Sequence, residues 1–240
     1  MSHHVDPSRE HFAAFKALPR DTHPMTMFSH AILSMQHESI FAKKYEEGNL
    51  RKENFWETWL EDSLNLTAKL PSIAATIYNI KNRVDDYVKP DPDLDWASNF
   101  AYMIGKGDSQ EYKELSKLYF IIHSDHEGAN ASAHTSHLVG STLSDVYYSC
   151  SAGMCALAGP LHGLANQGCL RWLLQLRDSF TSFPTRVQLE EFVWDWINAG
   201  QVVPGYGHAV LRTTDPRFTV QVEFADRHCP DDELLRLVKL

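Results

Sequence analysis

The feature that most constrains the fold is a helical repeat of apolar residues that runs from Asn54 to Asn82. Apolar side chains recur there at Phe55, Trp59, Leu60, Leu64, Leu66, Leu70, Ile73, Ile77 and Ile80. Because intervals of three and four residues place side chains on one side of an α-helix, the repeat predicts a long amphipathic helix. Pro71 lies inside it and lacks a backbone N–H, so we expect a kink there.

Helical patterns separated by loops also fill most of the remaining sequence. They are predicted over residues 22–35, 38–50, 96–104, 111–122, 130–144, 146–158, 169–177, 189–198 and 219–228, with a last helix from Asp231. Residues 1–22 are polar and give no clear pattern, whereas residues 85–95 and 179–184 are predicted loops. Alternation of period two and hairpin turn sequences are almost absent, so the predicted fold class is all-α.

Composition and charge exclude several classes of partner. The chain has 240 residues, enough for one large domain or two modest ones, and a net charge of −9 without a concentrated basic patch. This argues against a nucleic-acid partner. No apolar run is long enough to cross a bilayer, and the first residues lack the pattern of a secretory signal or transit peptide. The four cysteines show no disulfide-framework or CxxC spacing, which favours a reducing compartment.

Four histidines fall within a short span, in the pairs His123/His126 and His134/His137. Within each pair the histidines are three residues apart, which places them on one helix face and makes a metal site one interpretation. The zincin order His-Glu-x-x-His is absent, however, and no cysteine pair completes a zinc-finger pattern. We therefore predict no metal site.

Small residues surround this histidine cluster, at Gly128, Ala129, Ala131, Ser132, Ala133, Gly140 and Ser141. Small side chains let helices approach closely. The helices predicted over 130–144 and 146–158 therefore form either a tight pair within the core or a subunit interface.

A histidine framed by glycine and proline stands out in the segment Leu-Ala-Gly-Pro-Leu-His-Gly-Leu-Ala-Asn, residues 157–166. Gly159 relaxes the backbone and Pro160 suits the first turn of a helix, so His162 is expected near a helix N-terminus. The positive end of the helix dipole disfavours an imidazolium there. We expect a neutral ring that donates a hydrogen bond to a carbonyl oxygen, a role suited to a developing enolate.

A second such segment, Val-Val-Pro-Gly-Tyr-Gly-His-Ala-Val-Leu-Arg, covers residues 202–212 and centres on His208. Glycines on both sides of Tyr206 let the backbone approach a ligand and present its N–H groups. Arg212 and Arg217 follow, and guanidinium groups bind carboxylate or phosphate bidentately. A histidine near an apolar run is more often a structural residue, and this alternative stays open for both histidines.

Several long motifs, in the same order along the chain, resemble citrate synthase of the eukaryotic, mitochondrial type. They are His-Ser-Asp-His-Glu-Gly at 123–128, Ser-His-Leu-Val-Gly at 136–140, the segments around His162 and His208, and Thr-Asp-Pro-Arg at 214–217. The resemblance runs from about residue 17 to the end of the sequence. Cys155, Cys169 and Arg171 depart from it, at positions where the family usually has Asn, Val or Glu.

The resemblance implies an acyltransferase that joins acetyl-CoA to oxaloacetate and hydrolyses citryl-CoA to citrate and CoA. It matches His162 to the histidine that hydrogen-bonds the thioester oxygen, and His208 to the one that polarises and protonates the oxaloacetate carbonyl. His126 and Arg217 match oxaloacetate ligands. Acetyl-CoA is then a substrate, and neither a cofactor nor a metal is implied.

The resemblance also implies a CoA site. The backbone of an adenine-recognition loop is matched by Val202, Val203, Pro204, Gly205, Tyr206 and Gly207. Arg212 resembles a residue that meets a CoA phosphate.

The family's catalytic aspartate lies in a segment beyond the position of Leu240, and neither Asp215 nor Asp226 stands in for it. Two further oxaloacetate arginines and the family's N-terminal part also have no counterpart here. We therefore expect an internal fragment of an active synthase. The 240 residues alone are expected to be nearly inactive, because a general base typically contributes about 10²–10⁴-fold to the rate.

The implied architecture is part of a large helical domain over residues 1–163, with the dimer-forming helices, and part of a small domain over 164–240. Closure of the small domain would exclude water from the substrates. A homodimer in the mitochondrial matrix is implied by the same resemblance. Two alternatives are a non-catalytic helical interaction or dimerisation protein derived from this scaffold, and a histidine-cluster metalloenzyme.

Overall fold

The computed structural model describes residues 7–82, 87–125, 127–208 and 210–240. These residues form twelve α-helices and no strand, which confirms the predicted all-α class. The helices are α1 (Pro7–Lys16), α2 (Pro24–Ser34), α3 (Ile40–Glu46), α4 (Phe55–Lys81), α5 (Trp96–Ala101), α6 (Gln110–Ile122), α7 (Ala131–Gly140), α8 (Val146–Leu157), α9 (Ala165–Asp178), α10 (Arg186–Asn198), α11 (Pro216–His228) and α12 (Glu233–Lys239).

The long predicted helix is α4, which contains Pro71 as a buried residue and continues beyond it. Helix α1 was not predicted, because residues 1–22 were treated as one polar stretch, although Phe12, Phe15 and Leu18 recur within it at intervals of three. Two side chains anchor it nonetheless. Phe15 is 2% exposed, and buried His11 makes a hydrogen bond of 2.7 Å between its Nε2 and Ser34 Oγ on α2.

The chain divides into two compact units, one within residues 1–158 and the other within residues 159–240. The sequence placed a domain boundary after residue 163, and the assignment of the units to a large and a small domain of the family stays a prediction. In the first unit, α2, α4 and α8 enclose the main core. Its buried apolar residues include Met27, Ala31, Ile32, Met35, Leu66, Ile73, Ile77, Val146 and Tyr147.

One buried carboxylate ties α3 to α4. Asp62 on α4 is fully buried and accepts hydrogen bonds from Ser39 Oγ at 2.9 Å and from the backbone N–H groups of Ile40 at 2.9 Å and Phe41 at 3.1 Å. These N–H groups belong to the first turn of α3, where they have no partner within the helix. A charge that would be costly to bury alone therefore serves as the cap of a neighbouring helix.

Helices α7 and α8 pack directly against each other, as the small residues of this region predicted. Gly153 on α8 faces Ser132 and Ser136 of α7, and a Cβ at this glycine would overlap Ser136 Oγ. No described residue of α7 is buried within the chain, and Leu138 is 62% exposed. Helix α7 thus packs closely against α8 on one side and exposes its other side.

The second unit is built on α9, α10, α11 and α12. Its core has Trp172, Leu173 and Leu176 of α9 against Leu237 of α12, with aromatic residues of α10 packed onto them. Helix α10 ends at a Schellman motif, in which the N–H of Gly200 donates to Ile197 O at 2.9 Å and that of Gln201 to Trp196 O at 3.2 Å. Gly200 has a φ of 76°, a left-handed conformation that glycine adopts without strain at the end of a helix.

None of the helices in the described part of the chain is both long and apolar enough to span a bilayer.

Candidate functional site

The segment Val202–Gly207 follows the end of α10 and lies on the core of the second unit. The indole Nε1 of Trp196 donates a hydrogen bond of 3.0 Å to the carbonyl oxygen of Val202. Val203 packs onto the core beside α9, whereas Val202 is 80% exposed. The segment therefore has one side on α9 and α10 and apolar surface left facing outward.

Gly205 and Tyr206 fix the middle of this segment. Gly205 has a φ of 86°, and a Cβ there would lie 2.5 Å from the Sγ of Cys169 on α9. The Tyr206 ring meets Trp172 edge-on, and its hydroxyl donates to Val238 O at 3.3 Å. Burial, and secondly the neighbouring Cys169, raise the pKa of Tyr206, which keeps the phenol protonated as a donor.

One nitrogen of the His208 ring acts as a hydrogen-bond acceptor. Its Nδ1 accepts hydrogen bonds from the backbone N–H groups of Val210 at 3.0 Å and Leu211 at 2.9 Å. An Nδ1 that accepts carries no proton, so the proton of the neutral ring is on Nε2. The exposed ring can thus offer Nε2–H to a ligand oxygen.

The side chain of Arg212 folds back onto the backbone that follows His208. Its Nη1 donates to the carbonyl oxygens of His208 at 2.9 Å and Leu211 at 3.1 Å. The arginine therefore braces the backbone that carries His208, while its side chain lies on the surface.

Arg217, in the first turn of α11, is held by Asp215. The Asp215 carboxylate accepts from Arg217 Nε at 3.1 Å and from Arg217 Nη2 at 2.6 Å, and it caps the helix through the Arg217 backbone N–H at 2.8 Å. Such a two-point contact fixes the plane of the guanidinium. This orienting role of Asp215 was not predicted, although an aspartate before Pro-Arg is the sequence pattern of a helix N-cap.

His162 lies in the turns that precede α9. Its N–H donates to Gly159 O at 3.0 Å, and its carbonyl accepts from the N–H of Ala165, the first residue of the helix, at 3.0 Å. Pro160 is thus not in the first helical turn as expected, because the helix starts later. His162 is nevertheless just outside the N-terminus of α9, and it is half-buried.

The histidine cluster belongs to the first unit. His126 lies outside the described residues. His123 is the C-cap of α6, which ends at Ile122, and its ring stacks on Tyr119. The expectation that His123 and His126 share a helix face stays a prediction. His134 and His137 are exposed on α7. Among the described residues, no three His, Cys, Asp or Glu side chains are arranged to hold a metal ion.

The sequence matches the citrate synthase C-terminal domain over residues 1–240. The chain belongs to the citrate synthase family. It is 54% identical over 221 residues to a probable mitochondrial citrate synthase of Glossina morsitans morsitans, covering 92% of this chain and 47% of that protein. It is 50% identical over 222 residues to the mitochondrial citrate synthase of Saccharomyces cerevisiae, covering 92% and 46%. The chain spans about half the length of the curated relatives it matches.

Solved citrate synthases share the fold. The enzyme of Pyrobaculum aerophilum superposes with a TM-score of 0.76 at 30% identity, covering 93% of this chain and 53% of that one. A citrate synthase of Thermoplasma acidophilum in a ternary complex with carboxymethyl coenzyme A and oxaloacetate superposes with a TM-score of 0.71 at 22% identity, covering 96% of this chain and 58% of that one. The resemblance to citrate synthase, and the helical fold that it implied, are confirmed.

Within this citrate synthase family chain, every site residue predicted from the resemblance except His126 belongs to the second unit. These residues lie on the turn before α9, the segment between α10 and α11, and the start of α11. Their individual roles stay predictions. The contacts of Trp196 and Cys169 with the 202–207 segment were not predicted from the sequence. The one sequence signal for them is that Trp196 lies just before the glycine-rich run.

Proposed function

We propose that the protein containing these residues is a citrate synthase, which condenses acetyl-CoA with oxaloacetate and hydrolyses citryl-CoA to citrate and CoA. The observation that carries the proposal is the local geometry of His208, whose Nδ1 accepts two backbone hydrogen bonds and leaves Nε2 as the donor. A carbonyl under attack by a carbon nucleophile needs such a donor, because negative charge develops on its oxygen.

In the proposed reaction, His162 acts on acetyl-CoA and His208 acts on oxaloacetate. The family's base takes a methyl proton from acetyl-CoA, which leaves an enolate whose oxygen accepts a hydrogen bond from His162. The enolate carbon then attacks the oxaloacetate carbonyl carbon, and the carbonyl oxygen takes the proton of His208 Nε2 and becomes the citryl hydroxyl. The proton taken up by the base replaces the His208 proton through solvent. Water finally attacks the thioester of citryl-CoA and releases citrate and the CoA thiol.

Oxaloacetate would be held through its carboxylates by Arg217 and by His126. The guanidinium of Arg217 is already oriented by the carboxylate of Asp215, so little side-chain entropy is lost when a ligand carboxylate arrives. Asp215 is engaged in this contact, and Asp226 is paired with Lys239 at 2.7 Å. These pairings support the expectation that neither aspartate is the base that removes the methyl proton.

CoA would be bound by the backbone of Val202–Gly207, here called the CoA loop, and by Arg212. The exposed side of this loop is apolar at Val202, which suits an adenine face, and Arg212 adds positive charge for a phosphate. The relatives are named mitochondrial, and on that ground we propose that the protein acts in the mitochondrion. The exposed side chains of α7 and α8, such as Leu138 and Tyr148, are proposed as part of a homodimer interface.

Two measurements on the 240-residue chain test this function. Calorimetric titration should detect CoA binding that Arg212→Ala weakens, whereas thiol release from acetyl-CoA and oxaloacetate should be nearly absent, because the family's base lies outside these residues. Robust turnover would contradict the expected inactivity. Oxaloacetate and CoA binding without turnover in the full-length gene product would favour the alternative of a non-catalytic scaffold protein, and stoichiometric metal after purification would favour a metalloenzyme.

A further inference from the structure

We propose that Trp196 and Cys169 are positioning residues for the CoA loop, which hold its backbone in the shape that accepts the adenosine end of CoA. This inference rests on the proposed function. It concerns residues that act through the loop, since neither is assigned a contact with substrate.

Trp196 fixes the start of the loop. Its ring stacks on Phe192 at 6.2 Å between centroids and meets Trp172 edge-on, also at 6.2 Å. The indole plane is therefore set by two aromatic neighbours, and its single donor, Nε1, is aimed at Val202 O at 3.0 Å. A phenylalanine at this position keeps an aromatic contact but has no N–H to donate.

Cys169 on α9 supports the middle of the loop at Gly205. Its Sγ lies 2.5 Å from the position that a Cβ at Gly205 would take, so the backbone of the loop packs directly against the thiol. Burial raises the pKa of Cys169, which keeps the thiol neutral and small in this contact. Tyr206 adds the third point of attachment through its hydrogen bond to Val238 O.

A loop held at its beginning and middle loses less conformational freedom when a ligand binds than a mobile loop does. Exposed backbone without such supports is among the least stable parts of a protein. Loss of the Trp196 hydrogen bond is therefore expected to lower the affinity for the group that the loop contacts and to leave the helical core folded.

The test compares Trp196→Phe with Trp194→Phe in the 240-residue chain. Trp194 lies on the same helix but is 61% exposed, so it provides a matched loss of one indole. Amide hydrogen exchange without ligand, and calorimetric titration with CoA, are measured on each variant and on the unchanged chain. We expect Trp196→Phe to speed amide exchange at residues 203 and 205–207 and to raise the Kd for CoA about 3- to 10-fold, the factor expected from one hydrogen bond. Trp194→Phe should do neither.

Three results would overturn the inference. One is loop exchange in Trp196→Phe that equals that of Trp194→Phe, and another is an unchanged Kd for CoA. The third is faster exchange throughout α9 as well, which would make the tryptophan a general core residue. Failure of the unchanged chain to bind CoA would instead contradict the CoA site of the proposed function, while the exchange comparison still decides whether Trp196 holds the loop.

Discussion

At the scale of single residues, the site depends on side chains that fix backbone or orient a neighbour. Asp215 orients Arg217, and the N–H groups of Val210 and Leu211 orient the ring of His208. Gly205 adds a steric condition, since it combines a φ of 86° with the nearby Sγ of Cys169. Each arrangement sets the geometry of a functional group before any ligand binds.

Gly205→Ala is predicted to destabilise the second unit by about 1–3 kcal/mol, because the new methyl group meets Cys169 and a left-handed backbone is strained for alanine. Chemical denaturation followed by circular dichroism measures the change. Gly207→Ala is the matched control, since a Cβ there meets no atom within 4 Å. Equal stability of the two variants would show that the loop does not rest on the thiol.

Asp95 links charge to stability at the start of α5. Burial acts to raise the pKa of this carboxyl, but Lys117 Nζ at 2.8 Å and two hydrogen bonds from Ser98 outweigh it and hold the pKa well below its usual range. A lowered folded-state pKa stabilises the fold above the unfolded-state value and loses that effect as the pH falls.

Asp95→Asn should therefore lower the free energy of unfolding at pH 7 by less than about 1 kcal/mol, since both charged side chains are about half exposed. The difference from the unchanged chain should shrink as the pH falls below the ordinary value of 3.8. Urea titrations between neutral and acidic pH check this, with Asp93→Asn as the control in the same loop. A difference that grows toward acid would contradict it.

At the scale of elements, close helix contact depends on where glycine lies. Gly153→Ala should destabilise the first unit by about 1–3 kcal/mol, because its methyl group would overlap Ser136 Oγ and lie 3.1 Å from Ser132 O on α7. Gly168→Ala on α9 should instead stabilise its helix by up to about 1 kcal/mol, since it meets no atom within 4 Å and alanine favours helix. Thermal unfolding of both variants measures the two changes in midpoint temperature. A midpoint that changes in the same direction in both variants would contradict the account in which close packing at Gly153 and open space at Gly168 decide the outcome.

Elements with a long apolar repeat could be predicted from the sequence, and elements anchored by one or two side chains could not. The repeat of α4 spans many turns, so its helix was evident, whereas the repeat of α1 is limited to Phe12, Phe15 and Leu18 and follows polar residues that hide it. Helix α9 begins at Ala165, four residues before the predicted range of 169–177, whereas Pro160 was expected in a first helical turn and lies in the turns that precede the helix. Proline is compatible with both positions. The same limit applies to the site: motifs identified His162 and His208, but the contacts of Trp196 and Asp215 arise only from folding.

At the scale of the whole molecule, the described site residues of this family member are concentrated in the second unit, and helix α7, which has no buried described residue, belongs to the first. Binding residues for CoA and for one oxaloacetate carboxylate are therefore proposed to fold with residues 159–240. The oxaloacetate histidine, the proposed dimer surface and the catalytic base are proposed to come from other parts of the protein.

The measurement that tests this most directly is thiol release from acetyl-CoA by the full-length gene product, with and without oxaloacetate, beside its His162→Ala form. We predict thiol release that requires oxaloacetate and whose rate falls by at least about 100-fold in His162→Ala, because the enolate oxygen of acetyl-CoA loses its hydrogen-bond donor. Release that does not depend on oxaloacetate, or that is unchanged by the substitution, would contradict the proposed citrate synthase activity.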